Sequence, residues 1–206
     1  MRGPYKKKTK EKIMNAAWEL FQEHGYEDTT ISEIIEKSGT SRSAFYHHFH
    51  GKEELLFTIA YIYDNDYDIW LREDYDENLH VVDNLISFND YVMHAVESSP
   101  FCDFYNSLYG LQVMTDGVRH ILNPDRRYYQ ILRQLLKDGI ESGQILSPHT
   151  YTVLTDMITS FQIGITYNWC LQQRRYPLVQ YGRDLMNPFL LSLRKEPPDD
   201  KALPSD

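Results

Sequence analysis

Cysteine is nearly missing from this sequence: Cys102 and Cys170 stand far apart in a chain of 206 residues. Two isolated thiols exclude a disulfide framework and the close spacing of a zinc or redox motif, and they fit a reducing compartment. No uninterrupted apolar run approaches the roughly 18 residues that a membrane span requires. The basic start MRGPYKKKTKEK leads into no apolar stretch of signal-peptide type, so a cytoplasmic protein without a membrane partner is expected. A glycine-rich phosphate loop, a serine elbow and a paired-histidine metal motif are all absent. The expectation is therefore a protein that is not an enzyme, with no catalytic residue, no metal and no cofactor.

What is present points to an ordinary folded chain. Apolar residues make up 42% and charged residues 25%, a balance that argues against both wholesale disorder and a fibrous architecture. The net charge of -9 is unevenly spread. Residues 1–52 hold nine Lys or Arg against seven Asp or Glu, a balance of +2, whereas the remainder holds twelve against twenty-three, a balance of -11. Within the first part, Arg2, Lys6, Lys7, Lys8, Lys10 and Lys12 form a basic arm suited to lie near phosphates, where neutralised charge releases counterions.

Periodicity reads as helical throughout, with no internal repeat and no strand alternation. Ile13, Ala16, Ala17, Leu20 and Phe21 form one stripe of an amphipathic helix from Lys8 to His24, which Gly25 stops. Thr30 and Glu33 make a capping-box pattern that opens a short helix with Ile31, Ile34 and Ile35, ended by Ser38 and Gly39. Ser41 caps a third helix, in which Phe45 and Phe49 at i and i+4 must share the buried side. Its other side carries Ser43, Ala44, His47 and His50, with Tyr46 at the edge. A long connecting helix follows from Lys52 to about Glu73, then helices over about 82–97, 100–122, 125–141, 148–173 and 177–194, giving about nine in all. The Ser147-Pro148 pair is read as the start of the penultimate helix. The expected fold is all-α: a three-helix helix-turn-helix domain over 1–52, joined by a long helix to a helical regulatory and dimerisation domain over 53–195. The proline-rich tail 196–206 is expected to be disordered.

The stretch KEKIMNAAWELFQEHGYEDTTISEIIEKSGTSRSAFYHHFHGKEELL resembles the DNA-binding head of the tetracycline-repressor (TetR) family. Several elements recur in order: the AAWELF helix, the His-Gly-Tyr stop, the Thr-Thr pair before Ile-x-x-Ile-Ile, the Ser-Gly turn, Phe-Tyr-x-His-Phe, and Lys-Glu-Glu-Leu-Leu. The resemblance implies that Thr30, Tyr46, His48 and Lys52 hold phosphates. An α-helix fits the major groove, so Arg42, Ser43, Ala44 and His47 at the start and outer face of the third helix are the candidate base readers. Arg42 leads, because its fork can bond guanine O6 and N7 together. Ser43 stands where many relatives carry glycine or proline, so an operator sequence does not carry over.

One such helix reads too few base pairs for genomic specificity, so a homodimer on a palindromic double-stranded operator is expected. The resemblance places the dimer interface on the last two long helices, with Met157, Phe161, Ile165, Leu185, Phe189 and Leu193 as candidate contacts. The aromatic residues Tyr63, Tyr67, Trp70, Tyr105, Tyr109 and Tyr167 are candidates to line a pocket for an unidentified small-molecule effector. Tyr63, Tyr67 and Trp70 would share one face of the connecting helix. The implied function is a transcriptional repressor released from its operator by that effector. A constitutive binder or activator of the same fold, or a helical enzyme, is the alternative.

Overall fold

The computed structural model describes residues 3–64, 66–114, 116 and 119–195, with the side chains of residues 3–7 outside that description. In chain order the helices are α1 (Gly3–His24), α2 (Ile31–Ser38), α3 (Arg42–His48), α4 (Lys52–Phe57), α5 (Ile59–Ile62), α6 (Tyr67–Glu73), α7 (Val81–Glu97), α8 (Tyr105–Met114), α9 (Arg127–Glu141), α10 (Tyr151–Leu171) and α11 (Leu178–Ser192). Short 3-10 turns lie at Cys102–Phe104 and His120–Leu122. Among the described residues no strand forms; a single antiparallel bridge joins Ile145 to Arg194. The all-α expectation holds. The tail 196–206, Arg2 and the side chains of Lys6 and Lys7 lie outside the described residues.

Several boundaries differ from the sequence reading: α1 starts at Gly3 rather than Lys8, and of the helix expected over about 100–122 only α8, Tyr105–Met114, is α-helical, with the two 3-10 turns before and after it. The single helix expected from Lys52 to Glu73 is divided into α4, α5 and α6. At Thr58 the backbone N–H turns to Leu55 O at 3.1 Å and the hydroxyl donates to the same carbonyl at 2.5 Å, tightening the turn. After Ile62, Asp64 and Asp66 offer short polar side chains that compete for backbone groups and disfavour continuation. The penultimate helix begins not at Ser147-Pro148 but after Thr150, whose hydroxyl accepts from Val153 N–H at 3.4 Å. Ser147 instead accepts from His149 N–H at 3.1 Å in the preceding turn.

The chain forms two compact units, one built from the segments up to Asp64 and Ser98–Asn123, the other from residues 66–97 and 124–195. In the first, α1 buries its predicted stripe of Ile13, Ala16, Ala17, Leu20 and Phe21. Gly25 ends the helix at φ 84, a left-handed conformation that lets its N–H reach Phe21 O at 2.8 Å. The segment 98–123 supplies partners to this core. Phe101 packs on Trp18 with ring centroids 5.6 Å apart, and Phe104 on Phe21 at 6.0 Å. His120 stacks on Phe57 at 5.4 Å and hydrogen-bonds the Tyr61 hydroxyl at 2.9 Å; burial holds its pKa below the ordinary imidazole value.

The second unit is a bundle of α6, α7, α9, α10 and α11 around an aromatic centre. Trp70 and Phe88 lie 4.8 Å apart, Phe88 stacks on Tyr128 at 5.8 Å, and Tyr67 packs edge-on to Phe88 at 5.7 Å. A polar thread crosses this centre. Tyr128 donates to Gln162 Oε1 at 2.5 Å, and Gln162 Nε2 donates to Asn89 Oδ1 at 3.0 Å. On α10, Thr155, Thr159, Gln162 and Thr166 line up at helical spacing on the buried side. The thread is not complete: Asn89 Nδ2 is buried with no hydrogen-bond partner among the described residues. No helix among the described residues is long and apolar enough to cross a membrane.

Candidate nucleic-acid interface

The geometry of α3 follows from its two phenylalanines. Phe45 and Phe49 are 0% and 2% exposed, with rings 6.0 Å apart, and they pin one side of the helix against the head's core. Burying one such ring contributes on the order of 1.5–3 kcal/mol, far more than any exposed contact on the other side. The turn before it is set by Gly39 at φ 62, whose N–H reaches Glu36 O at 3.1 Å, followed by Thr40 N–H to Ile35 O at 3.3 Å. Only a residue free to be left-handed closes a helix this way cheaply. Ser41 then caps α3 by accepting from Ala44 N–H at 3.1 Å. With the buried side fixed, Arg42, Ser43, Tyr46 and His47 are exposed, and Ala44 and His48 half-buried. Arg42 lies with its guanidinium 5.7 Å from the Tyr46 ring centroid, one helical turn on. Cation and phenol thus present as one patch.

The start of α2 carries a carboxylate. Thr30 caps the helix, accepting from Glu33 N–H at 3.3 Å, while its own N–H and hydroxyl both donate to Glu33 Oε2 at 2.7 Å. Those bonds hold the Glu33 pKa below the usual glutamate range. A phosphate reaching Thr30 must therefore displace Glu33. Lys37 anchors α2 to α1 through Glu23 at 2.8 Å and Glu19 at 3.3 Å. Lys52, expected on a phosphate, is placed differently. Its Nζ donates to the carbonyls of Tyr26 at 2.7 Å, Glu27 at 2.9 Å and Thr29 at 3.1 Å, and lies 4.5 Å from the Tyr26 ring centroid. An ammonium has three N–H donors, so none remains for a phosphate.

The model of bacterial regulatory proteins of the tetR family matches residues 13–59, a span that opens on the buried Ile13 and covers α2, the turn and α3. Over these residues, about a quarter of its length, the chain is similar to the regulators of the TetR family. It is 25% identical over 165 residues to the HTH-type transcriptional regulator UidR of Escherichia coli K12, covering 77% of this chain and 78% of UidR. It is 40% identical over 52 residues to the HTH-type transcriptional repressor AcnR of Corynebacterium glutamicum, which covers 25% of this chain and 28% of AcnR. Among solved structures, the transcriptional regulator FadR of Bacillus subtilis, in complex with stearoyl-CoA, shares the fold with a TM-score of 0.66 at 21% identity, over 88% of this chain and 97% of that one. The proteins it resembles are transcriptional regulators.

The remaining candidates divide sharply. Of the proposed pocket aromatics, Tyr63, Tyr105 and Tyr109 belong to the first unit and Tyr67, Trp70 and Tyr167 to the second. Tyr63 follows α5 while Tyr67 and Trp70 lie on α6, so the three do not share the face of one helix. Tyr63 donates to Ser99, and Trp70 donates to Ser87 Oγ at 3.1 Å; both are buried, as are Tyr67 and Tyr105. Tyr109 is half-buried beside Tyr105, and Tyr167 is exposed on α10. Of the dimer candidates, Phe161 and Leu185 are exposed, and Met157 and Phe189 are half-buried. Together with Val153 and Tyr181, the residues Met157, Phe161, Ile165 and Leu185 line an apolar groove of about 690 Å³ on α10 and α11. Phe189 packs against Phe161 with the rings tilted and their centroids 5.1 Å apart. Leu193 is buried within the chain. Sequence reasoning found the Thr30–Glu33 capping box but not that Glu33 takes both the N–H and the hydroxyl of Thr30. It also missed Tyr26, which no spacing rule connects to Lys52. Among the described residues no group of three His, Cys, Asp or Glu comes together as a metal site.

Proposed function

We propose that this chain is a cytoplasmic, homodimeric repressor that reads a palindromic operator with α3 and leaves it when a small-molecule effector binds the second unit. The observation that carries the reading is the exposed pair of Arg42 and Tyr46 on a helix whose other side is locked by Phe45 and Phe49. In the major groove, Arg42 would bond a guanine edge, with Ser43, Ala44 and His47 against neighbouring bases. Tyr46, His48 and the start of α2 at Thr30 would bond phosphates and set the register. The apolar groove on α10 and α11 supports pairing, because two half-sites one helical turn apart call for two copies of α3.

Effector control follows the pattern of FadR with stearoyl-CoA, a structural neighbour. A ligand shifts the head only if it binds the released state more tightly than the DNA-bound one. Selection of a duplex from a random-sequence pool tests the reading, followed by fluorescence anisotropy with that duplex and release by fractions of cell extract. The wild type is expected to retain a two-fold symmetric sequence. Arg42→Ala should lose about 1–3 kcal/mol and tolerate any base pair at one position of each half-site. Retention of no duplex would refute the function, and an unchanged preference in Arg42→Ala would refute its central residue.

A further inference from the structure

Lys52 opens α4 at the edge of the interface, yet its ammonium faces inward onto the loop between α1 and α2. We infer that Lys52 is a positioning residue for DNA recognition, holding the start of α2 in place without touching a phosphate. The inference rests on the DNA-binding function proposed above and changes the part this residue plays in it.

The loop from Gly25 to Thr30 turns three of its carbonyls toward one point. Lys52 Nζ occupies it, bonded to the oxygens of Tyr26, Glu27 and Thr29. The loop lies just past the C-terminal end of α1, whose dipole favours a cation nearby. A compact ammonium with three rotatable donors suits three converging acceptors; the planar guanidinium fork does not. Tyr26 forms the floor, its buried ring 5.3 Å from Phe21 and beneath the ammonium, and Thr29 braces the loop by donating to Gly25 O at 2.7 Å. The third acceptor, Thr29 O, belongs to the peptide bond whose nitrogen is Thr30 N–H, and Thr30 is the cap of α2. The ammonium therefore fixes the peptide from which α2, the Gly39 turn and α3 are hung. Release of that peptide would leave α3 folded on Phe45 and Phe49 while loosening its register on the groove.

A phosphate contact and a clasp differ in measurable ways. Losing a phosphate contact lowers the slope of log affinity against log salt by about 0.9 for each contact and weakens all sequences alike. Losing a positioning group leaves the slope alone and weakens the correct sequence selectively. The experiment uses the full-length dimer and the selected duplex, with a scrambled duplex of the same length, over a range of salt concentrations. Variants are Lys52→Met, Lys52→Gln and Lys52→Arg, each checked for its helical signal and melting temperature. Lys52→Met is expected to bind the selected duplex about tenfold more weakly, with the scrambled duplex and both salt slopes unchanged. Lys52→Arg should fall as far despite keeping its charge, and Lys52→Gln, which keeps two donors, should fall less. Wild-type affinity in Lys52→Arg with equal losses in the two neutral variants, or a reduced slope in those variants, overturns the proposal in favour of a phosphate contact. Unchanged affinity in all three variants overturns it in favour of a role in stability alone. A wild type that binds neither duplex instead defeats the DNA-binding function itself, which separates the two failures.

Discussion

Glu33 illustrates how one side chain ties folding to pH at the start of α2. Thr30 donates both its hydroxyl and its N–H to this carboxylate, which lowers the Glu33 pKa from 4.5. A carboxyl group with a depressed folded-state pKa contributes stability that is complete above 4.5 and disappears as pH falls through the lower, folded-state value. Gln at the same position keeps the cap but not the charge. Glu33→Gln should therefore melt at a lower temperature than the wild type at neutral pH, and the gap should narrow as acid protonates Glu33. Thermal melts by circular dichroism over a pH series check this; a gap that grows with acid would contradict it. At this scale the sequence disclosed the residues but not their allegiances. The Thr-x-x-Glu spacing announced the cap, whereas Lys52 finds its acceptors more than twenty residues back in the chain. Local spacing has no means to report a contact made by tertiary folding.

Among elements, the approach of α9 to its neighbours sets a close test of packing against propensity. A Cβ added to Gly139 would lie 2.7 Å from Ile145 Cδ1 and from Val81 Cγ1, both in a packed core. Helix propensity favours alanine over glycine by about 1 kcal/mol. Overpacking costs about 1–3 kcal/mol and works against it. Gly139→Ala is expected to destabilise the protein, read as an earlier midpoint in urea, and a later midpoint would show that α9 can shift. Most helices were legible because their apolar stripes repeat at 3.6 residues, as in α1 and α7. The break between α4 and α6 was not. It depends on a threonine hydroxyl turning back to Leu55 O, and on the short polar run after Ile62, neither of which interrupts the apolar pattern. The packing of residues 98–123 with the head was equally hidden, because Phe101 and Phe104 meet Trp18 and Phe21 across some eighty residues of chain.

For the whole molecule, the groove on α10 and α11, as the seam of the proposed dimer, would tie assembly to DNA reading. Phe161 and Leu185, 44% and 45% exposed, are large apolar groups that a lone protomer leaves in water. The double variant Phe161→Lys with Leu185→Lys is expected to elute as a monomer of 24.4 kDa in light scattering. Its affinity for a symmetric duplex should fall about a hundredfold, because the second head no longer benefits from linkage to the first. A variant that stays dimeric would move the interface elsewhere. The dimer candidates were readable as apolar positions on the last helices, but spacing alone could not separate Leu193, which is buried, from Phe161, which is not.

The construction of the first unit from two stretches of chain limits how this regulator could be recombined. An engineer who grafted its reading head onto another effector module by a single cut after Asp64 would leave behind Phe101, Phe104 and His120. Trp18, Phe21 and Phe57 would then lose the rings that cover them. A working chimera has to transplant both stretches together, so the head and the segment from Ser98 to Asn123 are inherited as one piece even though the sequence separates them.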